Sequence, residues 1–239
     1  VEQFGFSLSD GRPPLLDLRL ADDLLLVASS EGDAAQLLDA LILDLATAGL
    51  ILNESKTMAM TNVAQPPVNL TTPAGVVVQI LPRDGAHKWL GCMLSAAARH
   101  RHAADIEHRL QAAGRAFYAN RSLLCNKKVS IVARLRYFAS LVSSTACFAS
   151  SHRTQRRVDI ERMDVTFRSL LRQVVGPPAN ADWTQPWHVT LHLWNDRRQY
   201  FANRAGVRSW GDECLRSYFR FCGCVARLPE TRWVKRVLR

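Results

Sequence analysis

The chain has 239 residues, 48% of them apolar, and a formal net charge of +10, enough apolar sequence to bury a core as one large or two small domains. No apolar run approaches the ~20 residues needed to cross a bilayer, and no basic segment followed by a hydrophobic run opens the chain. A membrane span and a secretory signal are therefore not expected, and the sequence predicts an intracellular protein of nucleus or cytoplasm. Charge is divided unevenly: residues 1–90 hold five Lys and Arg against eleven Asp and Glu, whereas residues 91–239 hold 26 against ten. An acidic part is joined to a strongly basic, Arg-rich one, and a polyanion is the natural partner of such a surface.

In chain order, the opening VEQFGFSLSDGRPP shows neither start nor targeting features and reads as part of a longer polypeptide. Leu16, Leu18 and Leu20 then alternate with Asp17 and Arg19 at strand period, and Leu24 begins a second apolar run, so the two fold most simply as a hairpin bent at Ala21, Asp22 and Asp23. Ser30 is placed to cap a helix whose apolar face is Leu37, Leu38, Leu41, Leu45 and Ala48, with Gly49 as its stop. LILNESKTMAM predicts a short strand over 50–52, a polar turn over 53–55 and a further strand from Lys56. Residues 62–73 read as a loop, 75–81 as a β-branched strand, and HKWLGCML as one more strand broken by Gly91. From Ala96 the period becomes helical, over 103–120, 127–150, 154–175 and 212–238, with GPPANADWTQPW (176–187) as a linker. The fold class is α+β: a partial antiparallel sheet with a covering helix, then a mostly helical part.

Two adjacent carboxylates between apolar runs need a turn, a cation, or both, because burying unpaired charge costs several kcal/mol. Neighbouring residues of a strand point to opposite faces, so Asp22 and Asp23 can serve one ion only if the backbone turns between them. A bend there would offer carboxylate oxygen to a hard cation such as Mg2+, although Asp is also a common turn residue that bonds its own backbone. The six cysteines include no C-x-x-C pair. His188, His192, Cys214, Cys222 and Cys224 fit no common zinc module, and no zinc is predicted.

LADD, the amphipathic helix, GLILNESKT and HKWLG, in this order and at these separations, resemble the palm of a reverse transcriptase of the non-LTR, LINE-like retrotransposon type across residues 15–92. The resemblance implies that residues 1–95 are the C-terminal part of the palm, 96–175 a helical thumb and 176–239 a linker with a basic helical extension. It implies two-metal nucleotidyl transfer in the full-length parent, an RNA-directed DNA polymerase, with Mg2+ or Mn2+ as cofactor. Asp22 would be the principal metal ligand and Asp23 a supporting one. Lys56 would lie near the triphosphate or be a plain surface lysine, and Trp89, Leu90 and Gly91 would grip the primer end. Partners would be an RNA template with a DNA primer, deoxynucleoside triphosphates, and upstream fingers and palm. Leu20 stands where the family has an aromatic residue, and only twenty-one residues precede Asp22, too few for the family's earlier metal-binding Asp and Gly-rich segment, so the isolated chain is expected to be inactive.

The thumb of that family follows duplex phosphates, and Arg99, Arg101, Arg109, Arg115, Arg121, Lys127, Lys128, Arg134 and Arg136 occupy the corresponding stretch. SYFRFCGCVARLPETRW (217–233) resembles a segment found downstream of the polymerase in many such elements. Its interleaved Tyr218, Phe219, Arg220 and Phe221 suit either base stacking or helix core. Two other readings share this composition: a basic nucleic-acid-binding module without catalysis, and a decayed retroelement relic.

Overall fold

The computed structural model describes residues 5–7, 14–153, 156–178 and 183–237, with the side chains of residues 98–101, 152 and 236 outside that description. The protein is α+β and divides into two compact units, Val1–Arg101 and His102–Arg239.

In the first unit, β1 (Asp17–Leu20) and β2 (Asp23–Leu26) pair antiparallel, with Leu20 opposite Asp23. Short bridges from Phe6 to Leu15 and from Gly5 to Ala28 extend this hairpin. Helix α1 (Glu31–Thr47) starts where Ser30 Oγ accepts from the Asp33 amide at 3.1 Å, as the sequence predicts. It ends where Gly49, at φ +73°, lets the Leu50 amide reach back to the Leu45 carbonyl at 2.8 Å. Its buried Ala35, Leu37 and Leu38 face inward, and the helix lies against β2 and β3 (Asn69–Thr71). Asp39 fastens it further by accepting from the Ala74 amide at 2.9 Å.

Here the chain departs from its predicted strands. Residues 50–52 form no strand, and Ile51 is 95% exposed. The strand expected from Lys56 is a 3-10 turn, Glu54–Lys56, followed only by a parallel bridge from Ala59 to Ile80. The 62–73 loop contains β3, which pairs antiparallel with β4 (Val77–Gln79), the core of the predicted 75–81 strand. HKWLGCML folds back on itself: β5 (His87–Trp89) and β6 (Cys92–Leu94) pair across a two-residue turn at Leu90 and Gly91, at φ +48° and +80°. Two positive φ angles in a row give the turn whose twist matches flanking strands. The described strands thus make three two-stranded ladders rather than one sheet.

The second unit is built from α2 (Ala98–Ala119, which begins at the end of the first), α3 (Arg121–Leu124), α4 (Ile131–Phe138), α5 (Ser144–Ala146), α6 (Arg157–Val175), α7 (Trp187–Ala205), α8 (Trp210–Ala226) and α9 (Trp233–Val237). The predicted 127–150 helix begins at Ile131, where Ser130 Oγ caps the Ala133 amide at 3.3 Å. It runs through a π turn, Ala139–Ser143, in which the Ser144 amide bonds the Ala139 carbonyl five residues back. Helix α7 has no counterpart among the predicted elements, which place a linker over 176–187 and the next helix from 212. The predicted 212–238 helix stops at Ala226 and resumes at Trp233 after Pro229.

Four helices each give one ring to the core: Phe117, Phe138, Phe167 and Trp210, all essentially buried. Phe138 and Trp210 stack within 5° of parallel at 6.3 Å, and Phe167 sits 5.7 Å from Trp210. Offset and tilted pairs of this kind add to the stabilisation from area burial. The Trp210 indole N–H, which would be costly to bury unpaired, donates to Ser143 Oγ at 2.8 Å. Beside it, the Gly211 amide donates to Asp164 Oδ1 at 2.8 Å, and a Cβ at Gly211 would stand 2.6 Å from Ile160 Cγ2. Gly211→Ala should therefore force α6 and α8 apart and cost about 1–3 kcal/mol in a urea titration. An unchanged midpoint would show that the crossing is looser than these distances indicate.

Candidate nucleic-acid interface

Ala21 and Asp22 are the two turn residues of the first hairpin, and Asp23 is the first residue of β2. The turn is what allows two consecutive carboxylates to sit at one end of a strand pair. Both are exposed, and neither makes a hydrogen bond or ion pair with another described residue. Farther along β1, Arg19 donates to both Asp17 carboxylate oxygens at 2.9 and 2.7 Å, which holds that carboxyl below its ordinary range. The one arginine of the hairpin is thus engaged away from Asp22 and Asp23. Ala21 adopts φ +54°, the left-handed region that costs an L-residue about 1 kcal/mol. Because Ala21 is exposed and its methyl packs little, Ala21→Gly should stabilise the hairpin by about 0.5–1 kcal/mol. A lowered urea midpoint for that variant would contradict the strain.

A hard cation needs several oxygens before it sheds water. Among the described residues no group of three or more His, Cys, Asp or Glu side chains is placed to hold a metal ion, so Asp22 and Asp23 do not form a complete Mg2+ or Mn2+ site by themselves. Lys56 is exposed at the end of its 3-10 turn, where the Thr57 hydroxyl and amide both bond the Asn53 carbonyl. Trp89, Leu90 and Gly91 occupy the separate β5–β6 hairpin, all half-buried.

The predicted phosphate-binding cations separate into three groups. The side chains of Arg99 and Arg101 lie outside the described residues. Arg109 and Arg134 are buried and engaged inside the helical unit. Arg109 shares Asp105 with Arg153, at 3.8 and 3.3 Å, and lies 4.5 Å over the Phe148 ring. Arg134 donates through Nη1 to the carbonyls of Val174, at 2.5 Å, and Leu124, at 3.4 Å, which tie the ends of α6 and α3 to α4. Burial holds the Arg134 pKa below the usual arginine value. These two arginines serve the fold.

Arg115, Arg121, Lys127, Lys128 and Arg136 are exposed, and none forms an ion pair with a described residue. Lys127 and Lys128 stand on the turn into α4, where Asn126 Oδ1 accepts from the Lys128 amide at 2.9 Å. Tyr118, 59% exposed, lies one helical turn from Arg115 and three residues before Arg121, which opens α3. The whole stretch 108–158 contains no Asp or Glu. That absence was legible in the sequence but is diluted in the charge count for residues 91–239. Solvated cation faces are normally laced with acids, and this one is not.

No protein-family model matches the chain, and no solved structure matches it. Over 222 residues, 92% of its length, it is 27% identical to an uncharacterised transposon-derived protein of Caenorhabditis elegans, covering 74% of that protein. The chain is similar to a transposon-derived protein. Among the described residues no helix is long and apolar enough to cross a membrane.

Proposed function

We propose that the chain is the palm and thumb portion of a non-LTR, LINE-like reverse transcriptase, and that its basic helices hold an RNA–DNA hybrid by its phosphates. The observation that carries this reading is the acid-free stretch 108–158, in which the exposed Arg115, Arg121, Lys127, Lys128 and Arg136 form no ion pair with a described residue. Phosphate oxygens supply the missing anions without reading sequence. The transposon-derived relative and the ordered motifs LADD, GLILNESKT and HKWLG support the polymerase part of it.

In the parent enzyme Asp22 and Asp23 would hold catalytic Mg2+ or Mn2+ together with at least one further carboxylate. The metal would activate the primer 3′-hydroxyl toward a deoxynucleoside triphosphate. The protein's own contribution at this turn is to present two unpaired carboxylates in water-accessible positions; Lys56 would attend the triphosphate, and the turn at Leu90 and Gly91 would meet the primer end. The isolated chain, with two carboxylates in place of a complete set, binds hybrid and does not extend a primer. A non-catalytic binding module would behave identically in that assay.

The separating experiment uses a longer polypeptide that also carries the family's earlier metal-binding strand. There Asp22→Asn is expected to lose template-directed DNA synthesis while leaving hybrid binding and circular dichroism unchanged, since the side chain is exposed. Undiminished synthesis by that variant would rule out the metal role of Asp22.

A further inference from the structure

We infer that the outer face of α8 is a second nucleic-acid site, one that takes a single strand, with Phe219 stacking on a base and the surrounding arginines holding the flanking phosphates. None of the exposed cations of α2 to α4 lines this site, which does not depend on the polymerase reading.

Helix α8 is two-faced. Trp210, Gly211, Cys214 and Val225 are buried, whereas Phe219 is 67% exposed on the opposite side. Arg216 and Arg220, four residues apart, neighbour Phe219 on that side. Together with Arg208, Asp212 and Leu215 they line an open surface cavity of about 660 Å3. The ring meets Tyr218 edge-on at 5.8 Å on the same helix and leaves most of its surface in water beside the arginines.

A smaller cavity of about 300 Å3 adjoins the first, shares Arg208 and Asp212 with it, and reaches Arg168 on α6 and Arg198 on α7. The charges here do not balance. Asp164 is engaged by the Gly211 amide, and Arg208 already meets Glu213 at 3.5 Å. Arg168, Arg216 and Arg220 have no ion pair with a described residue. The Arg198 Nε is buried without a hydrogen-bond partner among the described residues. Burial, with the Arg168 and Arg172 guanidiniums nearby, holds the Arg198 pKa below its usual value. Clustered guanidiniums beside an open cavity call for an anion with several oxygens, and phosphate matches their planar forks.

The exposed ring selects among polyanions. A duplex keeps its base faces stacked inside, whereas an unpaired strand can lay one on Phe219, the arrangement sequence-tolerant single-strand binders use. An acidic peptide offers charge but no planar face.

The test uses the full chain and short fluorescein-labelled oligo(dT) and oligo(rU), followed by fluorescence anisotropy at one salt concentration. Phe219→Ala should weaken binding of either oligonucleotide by about tenfold. Arg216→Glu combined with Arg220→Glu should weaken it at least as much. Phe219→Trp should retain it, and hybrid binding should be unchanged by Phe219→Ala. Tighter binding of one oligonucleotide than the other also supports the site and names the sugar it prefers. Undiminished single-strand binding by Phe219→Ala would overturn the proposal. So would an equal loss on hybrid, or displacement of the oligonucleotide by polyglutamate as readily as by unlabelled strand. Because Phe219, Arg216 and Arg220 lie on the side of α8 away from its buried residues, unchanged circular dichroism is expected for all variants.

Discussion

Binding of the 239-residue chain to an RNA–DNA hybrid should weaken from a few hundred- to a few thousand-fold between about 50 and 200 mM monovalent salt. The physical source is counterion release: each phosphate neutralised by a protein cation frees condensed ions, and salt drives them back. A slope of roughly −4 to −6 in log affinity against log salt corresponds to about five to seven neutralised phosphates. Arg115, Arg121, Lys127, Lys128 and Arg136 supply five exposed cations that form no ion pair with a described residue. Lys127→Glu with Lys128→Glu should make the slope shallower by roughly 2 and weaken binding to unrelated sequences alike, because the pair touches no base. A titration across salt reads both quantities. A slope near zero, or a double variant with the parent's slope, would remove these helices from the interface.

Asp105→Asn should cost the helical unit about 3–5 kcal/mol, the penalty of leaving buried cations without their counter-charge. Asp105 is 1% exposed and lies against Arg109 and Arg153, themselves 6% and 2% exposed. The isosteric amide keeps the shape and removes the charge, so cavity formation is not confounded with the loss. Charge reversal at a surface pair such as Arg157 and Glu161, by contrast, would cost under ~1 kcal/mol. Replacing Asp105, Arg109 and Arg153 together by apolar residues of similar size should recover most of the loss. Urea unfolding followed by far-ultraviolet ellipticity measures it. If Asp105→Asn unfolds at the parent's urea concentration, the two arginines find their compensation elsewhere.

The same arginines show where sequence reading stops. Arg109 and Arg134 look like Arg115 and Arg136 in a sequence, since all four sit in basic amphipathic helices. Only tertiary structure separates guanidiniums that close helix ends and buried ion clusters from those that face water. Elements with a local chemical signature were legible: Ser30 and Gly49 bracket α1, and the paired apolar runs around Ala21 and Asp22 give the first hairpin. Helix α7 was illegible because the residues it buries include Thr190 and Ala202, which do not stand out as an apolar stripe. The β5–β6 turn was illegible because Leu90 takes a positive φ, which nothing in a leucine announces. The two carboxylates were legible as a turn, while the acid-free character of 108–158 needed the exposed cations to be told from the buried ones before it acquired meaning.

The π turn at Ala139–Ser143 has a bearing on how this part of the chain tolerates insertions and deletions. A π turn is an α-helix carrying one extra residue. Deleting Ser140, which is exposed, would let the segment regularise into continuous α-helix with little loss of backbone bonding. Because the bulge takes up that extra residue locally, the helix before and after it keeps its phase, and the deletion should leave Ser143 beside the Trp210 indole it accepts from and Ala146 in the core. A deletion in regular α-helix such as α6 would instead turn everything after it by about 100°, so the π turn marks where this bundle can lose a residue and still close around the same rings.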